Sequence, residues 1–151
     1  MRGNVMQIKF TLTRPGARPP AYATPGSAAA DLVAVLDAPL TLAPGQRALV
    51  PTGLAIQLPG PEYVALVCAR SGLAIRHGLT LANGVGVIDS DYRGEIGVGM
   101  VNLCGEAYTI QPGERVAQLM ILPVAQAAFV QADSLDDTQR GEGGFGSTGR
   151  T

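Results

Sequence analysis

Ten residues near the C-terminus, RGEGGFGSTG (140–149), combine five glycines, one phenylalanine, two hydroxyls and an arginine. Backbone N–H groups in such a run can cradle phosphate oxygens, with Arg140, Ser147 and Thr148 adding side-chain donors around Gly146. Phe145 could then lie over a flat aromatic base. The run also spells G-x-G-x-x-G at Gly141, Gly143 and Gly146. A dinucleotide fingerprint needs a strand before it and a helix after it, and this chain ends five residues later. A kinase glycine loop fails for the same reason. The competing reading is a solvated polar tail.

Four more stretches carry groups that could do chemistry. In CARSGLAIRHG (68–78), Arg70 follows an apolar strand, and Ser71 is expected to cap a short helix that Gly78 closes. The free N–H groups of Ser71 and Gly72 could meet an anion, and Arg70 could add a forked contact. An ordinary helix cap beside a surface arginine would read the same. In LANGVGVIDSDYRGEIGV (81–98), two strand-like runs flank DSDYRG, which predicts a β-hairpin with Asn83 and Asp89 in its first arm. An extended arm turns Ile88 and Asp89 to opposite faces. Asp89 is either a turn former or a pocket carboxylate able to deprotonate a water beside a triphosphate. SAAADL (27–32) supplies Asp31, and PGERVAQL (112–119) supplies Arg115 and Gln118 at a strand. A glutamine inside that apolar run needs a polar partner. His77, the one histidine, reads as a surface residue at a helix end, and two cysteines give no zinc-site spacing.

The elements that must position these groups are short. Proline–glycine pairs at 15–16, 25–26, 44–45, 59–60 and 112–113 separate runs rich in Val, Ile, Leu and Thr. That punctuation predicts an all-β sandwich or barrel with one short helix. A chain of 151 residues suits one domain. Composition turns polar and then glycine-rich after about residue 133, so a β-domain over 1–133 and a flexible arm over 134–151 are expected. Hydrophobic residues make up 46% and charged residues only 15%, so some apolar surface is expected to be buried between subunits. The net charge of −1 leaves no broad basic face for a nucleic-acid polymer or an anionic membrane. No apolar leader opens the sequence, and VAQLMILPVAQAAFV is too short and interrupted to span a bilayer, so a cytoplasmic protein is expected.

Taken in order, the five stretches resemble the five motifs of the trimeric dUTP pyrophosphatases (dUTPases). ARSGLA, NGVGVIDSDYRGE and RGEGGFGSTG carry most of the likeness, and LAPGQRALVPTGLAI and IQPGERVAQL add to it. The resemblance implies a jelly-roll-like distorted β-barrel or sandwich, a homotrimer, and active sites shared among three chains. It also implies hydrolysis of dUTP to dUMP and pyrophosphate, which keeps uracil out of DNA and supplies dUMP for thymidylate synthesis. By position, Asp89 would activate the attacking water. Asn83, Val87, Ile88 and Gly97 would read uracil, and Tyr92 would pack on the sugar and exclude a 2′-hydroxyl. Arg70, Ser71, Gly72 and Gln118 would hold phosphates. Phe145 would cover the base, while Arg140, Gly146, Ser147 and Thr148 close over the outer phosphates as the arm orders on the substrate. Mg2+ is the implied cofactor, held mainly by phosphate oxygens and waters with Asp31 in the outer shell. Two departures stand out: Ala29–Ala30 precede Asp31 where the family carries glycine, and Ala69 replaces a proline. The alternatives are a dCTP deaminase-like enzyme of the same fold, which would need a glutamate base, and a non-catalytic jelly-roll trimer.

Overall fold

The structure is a computed structural model, and it describes residues 5–144. Every strand pairing in it is antiparallel. The largest sheet has five strands in the order β2-β3-β12-β7-β9. These are β2 (Ala21–Tyr22), β3 (Ala30–Val33), β12 (Arg115–Pro123), β7 (Tyr63–Ala69) and β9 (Gly86–Ile88). A three-stranded sheet holds β5 (Arg47–Pro51), β10 (Gly97–Asn102) and β8 (Leu79–Leu81) in the order β5-β10-β8. Two ribbons complete the fold: β1 (Lys9–Leu12) with β6 (Leu54–Gln57), and β4 (Leu40–Leu42) with β11 (Tyr108–Ile110). The arrangement is the expected jelly-roll-like β fold, with open sheets rather than a closed barrel among the described residues.

Alternation in the sequence decides which face meets the core. Along β10, Val98, Met100 and Asn102 point inward while Gly97, Gly99 and Val101 are half-buried. Ala30, Leu32, Ala65, Val67 and Leu119 form the core row of the large sheet. The opposite face mixes polar groups at one end with half-buried apolar residues at the other. There Gln118 lies between Asp31 on β3 and Cys68 on β7, as direct cross-strand partners. That register sets Gln118 between a carboxylate-bearing and a thiol-bearing residue. Asn102 is the largest buried polar side chain. Its amide donates to Leu42 O at 2.9 Å and Glu106 O at 2.8 Å, and its Oδ1 accepts the Cys104 N–H at 2.9 Å. No donor on it is left unpaired, so burial costs it little.

The one helix among the described residues, α1 (Ser71–His77), follows β7. Ser71 is not its cap. Arg70 takes the N-cap position with extended backbone, and no side chain caps the helix. The arginine is fixed there by its own side-chain contacts, and the helix begins one residue earlier than a Ser71 cap would place it. Gly78 closes α1 as expected, at φ 63°, donating to Ala74 O at 3.1 Å. A Cβ at Gly78 would stand 2.6 Å from the Cys104 backbone nitrogen, so only glycine fits.

The predicted hairpin at 81–98 does not form. β9 pairs with β7 in the large sheet, whereas β10 pairs with β5 and β8 in the other. The arms diverge because each buries its apolar residues against a different partner. Beyond β12 the described chain has no further strand or helix. No helix among the described residues is long and apolar enough to cross a membrane.

Candidate active site

Divergence of β9 and β10 opens a cavity of about 280 Å³ between them. It is lined by Val87, Ile88, Asp89, Tyr92 and Gly97, all singled out from sequence, together with Leu49, Glu95 and Ile96. Because β9 is the edge strand of its sheet and is not paired to β10, its side away from β7 is left without a ladder partner. The connecting loop is braced internally. The Tyr92 N–H donates to Asp89 O at 3.1 Å, and the Tyr92 hydroxyl donates to Glu95 O at 3.0 Å. Arg93 Nη1 donates to Ser90 O and Tyr92 O, each at 2.8 Å. Asp89 is exposed at the rim.

Glu95 and Leu49 were not singled out by the sequence reading. Glu95 anchors the loop exit: its carboxylate accepts Arg14 Nε at 2.8 Å and the Gly53 N–H at 2.9 Å. Burial alone would raise its pKa, but the Gly53 N–H and the Arg14 guanidinium together hold it below the ordinary value. The signal in sequence was the acidic residue ending the motif YRGE. Its partner Arg14 lies 81 positions away and left none.

A second group forms on the outer face of the large sheet. Asp31, only 11% exposed, is gripped by two arginines. Arg115 Nη1 donates to Asp31 Oδ2 at 3.0 Å. Arg70 Nε stands 3.2 Å from Asp31 Oδ1, close enough for ion pairing but poorly aligned for a hydrogen bond. Arg70 Nη1 also donates to Arg115 O at 2.9 Å. Gln118 pairs across the sheet with Asp31, and Ser71 and Gly72 lie exposed just past Arg70. A Cβ at Gly72 would meet open space, so the approach there is clear. Among the described residues, no cluster of three or more His, Cys, Asp or Glu side chains could hold a metal.

The two groups are far apart in one chain. Ile88 pairs with Ala65, so Asp89 continues beside Val64, six residues before Arg70 on the β7 line. At about 3.3 Å per strand residue, that is roughly 20 Å. Asn83 lies in the turn between β8 and β9, outside the cavity lining. Its Nδ2 would lie 3.7 Å from a Cβ at Gly86. Arg140 Nε donates to Gly143 O at 2.8 Å in a turn of its own arm. Phe145, Gly146, Ser147 and Thr148 lie outside the described residues.

Comparison with known proteins identifies the family of the chain. The dUTPase family model matches residues 17–149. The deoxyuridine 5′-triphosphate nucleotidohydrolase of Aeromonas hydrophila is 58% identical over 131 residues, covering 87% of this chain and 86% of its own. The dUTPase of Staphylococcus bacteriophage 80alpha, solved with dUPNHPP, is 26% identical with a TM-score of 0.86, covering 96% of this chain and 99% of its own. A mutant dUTPase from phage phi11 of S. aureus, described as coordinating a structural Mg(II) ion, shares the fold at 23% identity and a TM-score of 0.78, over 87% of this chain and 100% of its own. A family match along almost the whole chain, and a relative well above half identical, place this chain in the dUTPase family.

Proposed function

We propose that this chain hydrolyses dUTP to dUMP and pyrophosphate, in sites completed between subunits of a homotrimer. The carrying observation is the cavity between the diverging arms, with a carboxylate at its rim and a tyrosine at its wall. It suits a planar base that is read by backbone groups of Val87, Ile88 and Gly97, with Asn83 approaching from the β8–β9 turn. Such a slot rejects cytosine by mismatched donors and thymine by its methyl group. Tyr92 packs on the deoxyribose and leaves no room for a 2′-hydroxyl. Asp89 takes a proton from the water that attacks the α-phosphorus. The α–β anhydride bond breaks, and pyrophosphate leaves.

Phosphate binding falls to Arg70, Ser71, Gly72 and Gln118. The separation of Arg70 from Asp89, roughly 20 Å along the β7 line, supports a site that takes these groups from different subunits. The half-buried apolar side chains Val64, Leu66, Met120 and Leu122 on the outer sheet face would then supply contact area between subunits. Arg140, Phe145, Gly146, Ser147 and Thr148 close the site from the arm of residues 134–151. Asp31 keeps Arg70 aimed, and both its carboxylate oxygens are already engaged. A Mg2+ ion would therefore take most of its ligands from the triphosphate and water, with Asp31 in the outer shell, and would supply neutralisation of phosphate charge. The working compartment is the cytoplasm.

The test is pyrophosphate release from dUTP, dCTP, dTTP and UTP with Mg2+ present. Release from dUTP alone is expected. Ammonia release from dCTP would instead favour the deaminase, and no product from any of the four would leave a non-catalytic trimer.

A further inference from the structure

Tyr92 is held in place by a chain of contacts that runs away from the cavity. Its hydroxyl donates to the backbone oxygen of Glu95, and the Glu95 side chain is pinned by Arg14 and by the Gly53 N–H. Gly53 itself accepts the Thr13 N–H at 2.8 Å, which ties this anchor to the end of β1. Gly53 sits at φ +62°, and a Cβ there would collide with that of Ala17 at 2.5 Å, so the turn admits only glycine. From the other side, the Tyr92 ring lies directly over Gly94. A Cβ at Gly94 would meet the tyrosine hydroxyl, with Cζ at 2.6 Å. Gly94 is not among the positive-φ glycines, so its missing side chain is needed for the tyrosine rather than for the backbone.

We propose that Arg14 and Gly94 are positioning residues for Tyr92, and that they set how strongly the enzyme prefers a deoxyribonucleotide over a ribonucleotide. The inference rests on the dUTPase reading and on Tyr92 as the residue that meets the sugar. Selection against a single extra oxygen needs the ring held firmly against the sugar. Loosening either support lets the ring retreat and admits the extra oxygen. The N-terminal segment would thereby take part in substrate choice, although Arg14 contacts the loop only through Glu95.

The experiment compares kcat/KM for dUTP and UTP in the full-length protein, its Tyr92→Ala variant, and the Arg14→Ala, Arg14→Lys and Gly94→Ala variants. Urea midpoints are measured on each, so that the folded fraction is known. Gly94→Ala should lower the dUTP-to-UTP ratio roughly tenfold, mostly by raising turnover of UTP, because small misplacements of a contact residue carry large kinetic effects. Arg14→Ala should lower it about threefold, the scale of one half-exposed ion pair, and Arg14→Lys should restore most of it. A merely structural role would reduce both substrates together and leave the ratio alone. If Tyr92→Ala moves the ratio but neither Arg14→Ala nor Gly94→Ala does, the inference is overturned and the dUTPase reading stands. If only one of the two moves it, the other residue's part is withdrawn. Failure of the parent protein to prefer dUTP overturns the reading and this inference with it.

Discussion

Thr52 offers a sharp test of how the cavity wall is built. It is 2% exposed, and its hydroxyl donates to Ile96 O at 2.6 Å while accepting the Leu54 N–H at 3.3 Å. Ile96 lines the cavity, so this one hydroxyl joins the β5–β6 turn to the start of β10. Thr52→Val keeps the shape and removes both bonds. Leaving buried backbone groups unpaired costs about 1–3 kcal/mol each, with the short bond to Ile96 O the larger loss. A buried methyl in place of the hydroxyl returns about 1 kcal/mol. The net expectation is a destabilisation of about 2 kcal/mol. Thr52→Ser keeps both bonds and loses one methyl, at about 1 kcal/mol. Urea unfolding at fixed chain concentration reads both variants, since any assembly makes the midpoint concentration-dependent. With a slope near 2 kcal/mol per molar, the valine variant should lose about 1 M in midpoint and the serine variant about half of that. A valine variant as stable as the parent, or more stable than the serine variant, would refute the assigned role of the hydroxyl.

Asp89→Asn should abolish pyrophosphate release while dUTP still binds by calorimetry, because the amide keeps the shape and loses the base. Near-parental turnover would remove Asp89 from that role. Glu95 should make stability depend on acid. Its folded pKa lies below the ordinary 4.5, so its contribution is full above that value and is lost as pH falls through the lowered one. The gap in stability between the parent and Glu95→Gln should therefore be widest at neutral pH and close below pH 4.5; a gap independent of pH would contradict the ion pair with Arg14. Deleting residues 140–151 should leave the urea midpoint unchanged, since the last described strand ends at Pro123, while dUTP turnover falls steeply. A lowered midpoint would show that the arm also supports the fold.

The sequence by itself determined the local elements and the chemical inventory. Strands follow from short alternating runs between proline–glycine turns, and the αL turn at Gly78 follows from a glycine after a helical turn. Both signals are complete within a few neighbouring residues. The ordered motifs were likewise legible, because each keeps its polar groups together in one stretch. Only the tertiary structure decided what those stretches meet. RGEIGV reads as the return arm of a hairpin, yet β10 leaves β9 for β5 and β8, and that divergence makes the cavity. Ser71 looks like a helix cap, yet Arg70 takes that place while reaching Asp31 and the Arg115 carbonyl. Asp31 meets Arg115 across 84 positions, Arg14 meets Glu95 across 81, and Thr52 meets Ile96 across 44. Strand partners are chosen by which apolar faces can be buried together, a property of the whole assembled core, so no local pattern announces it.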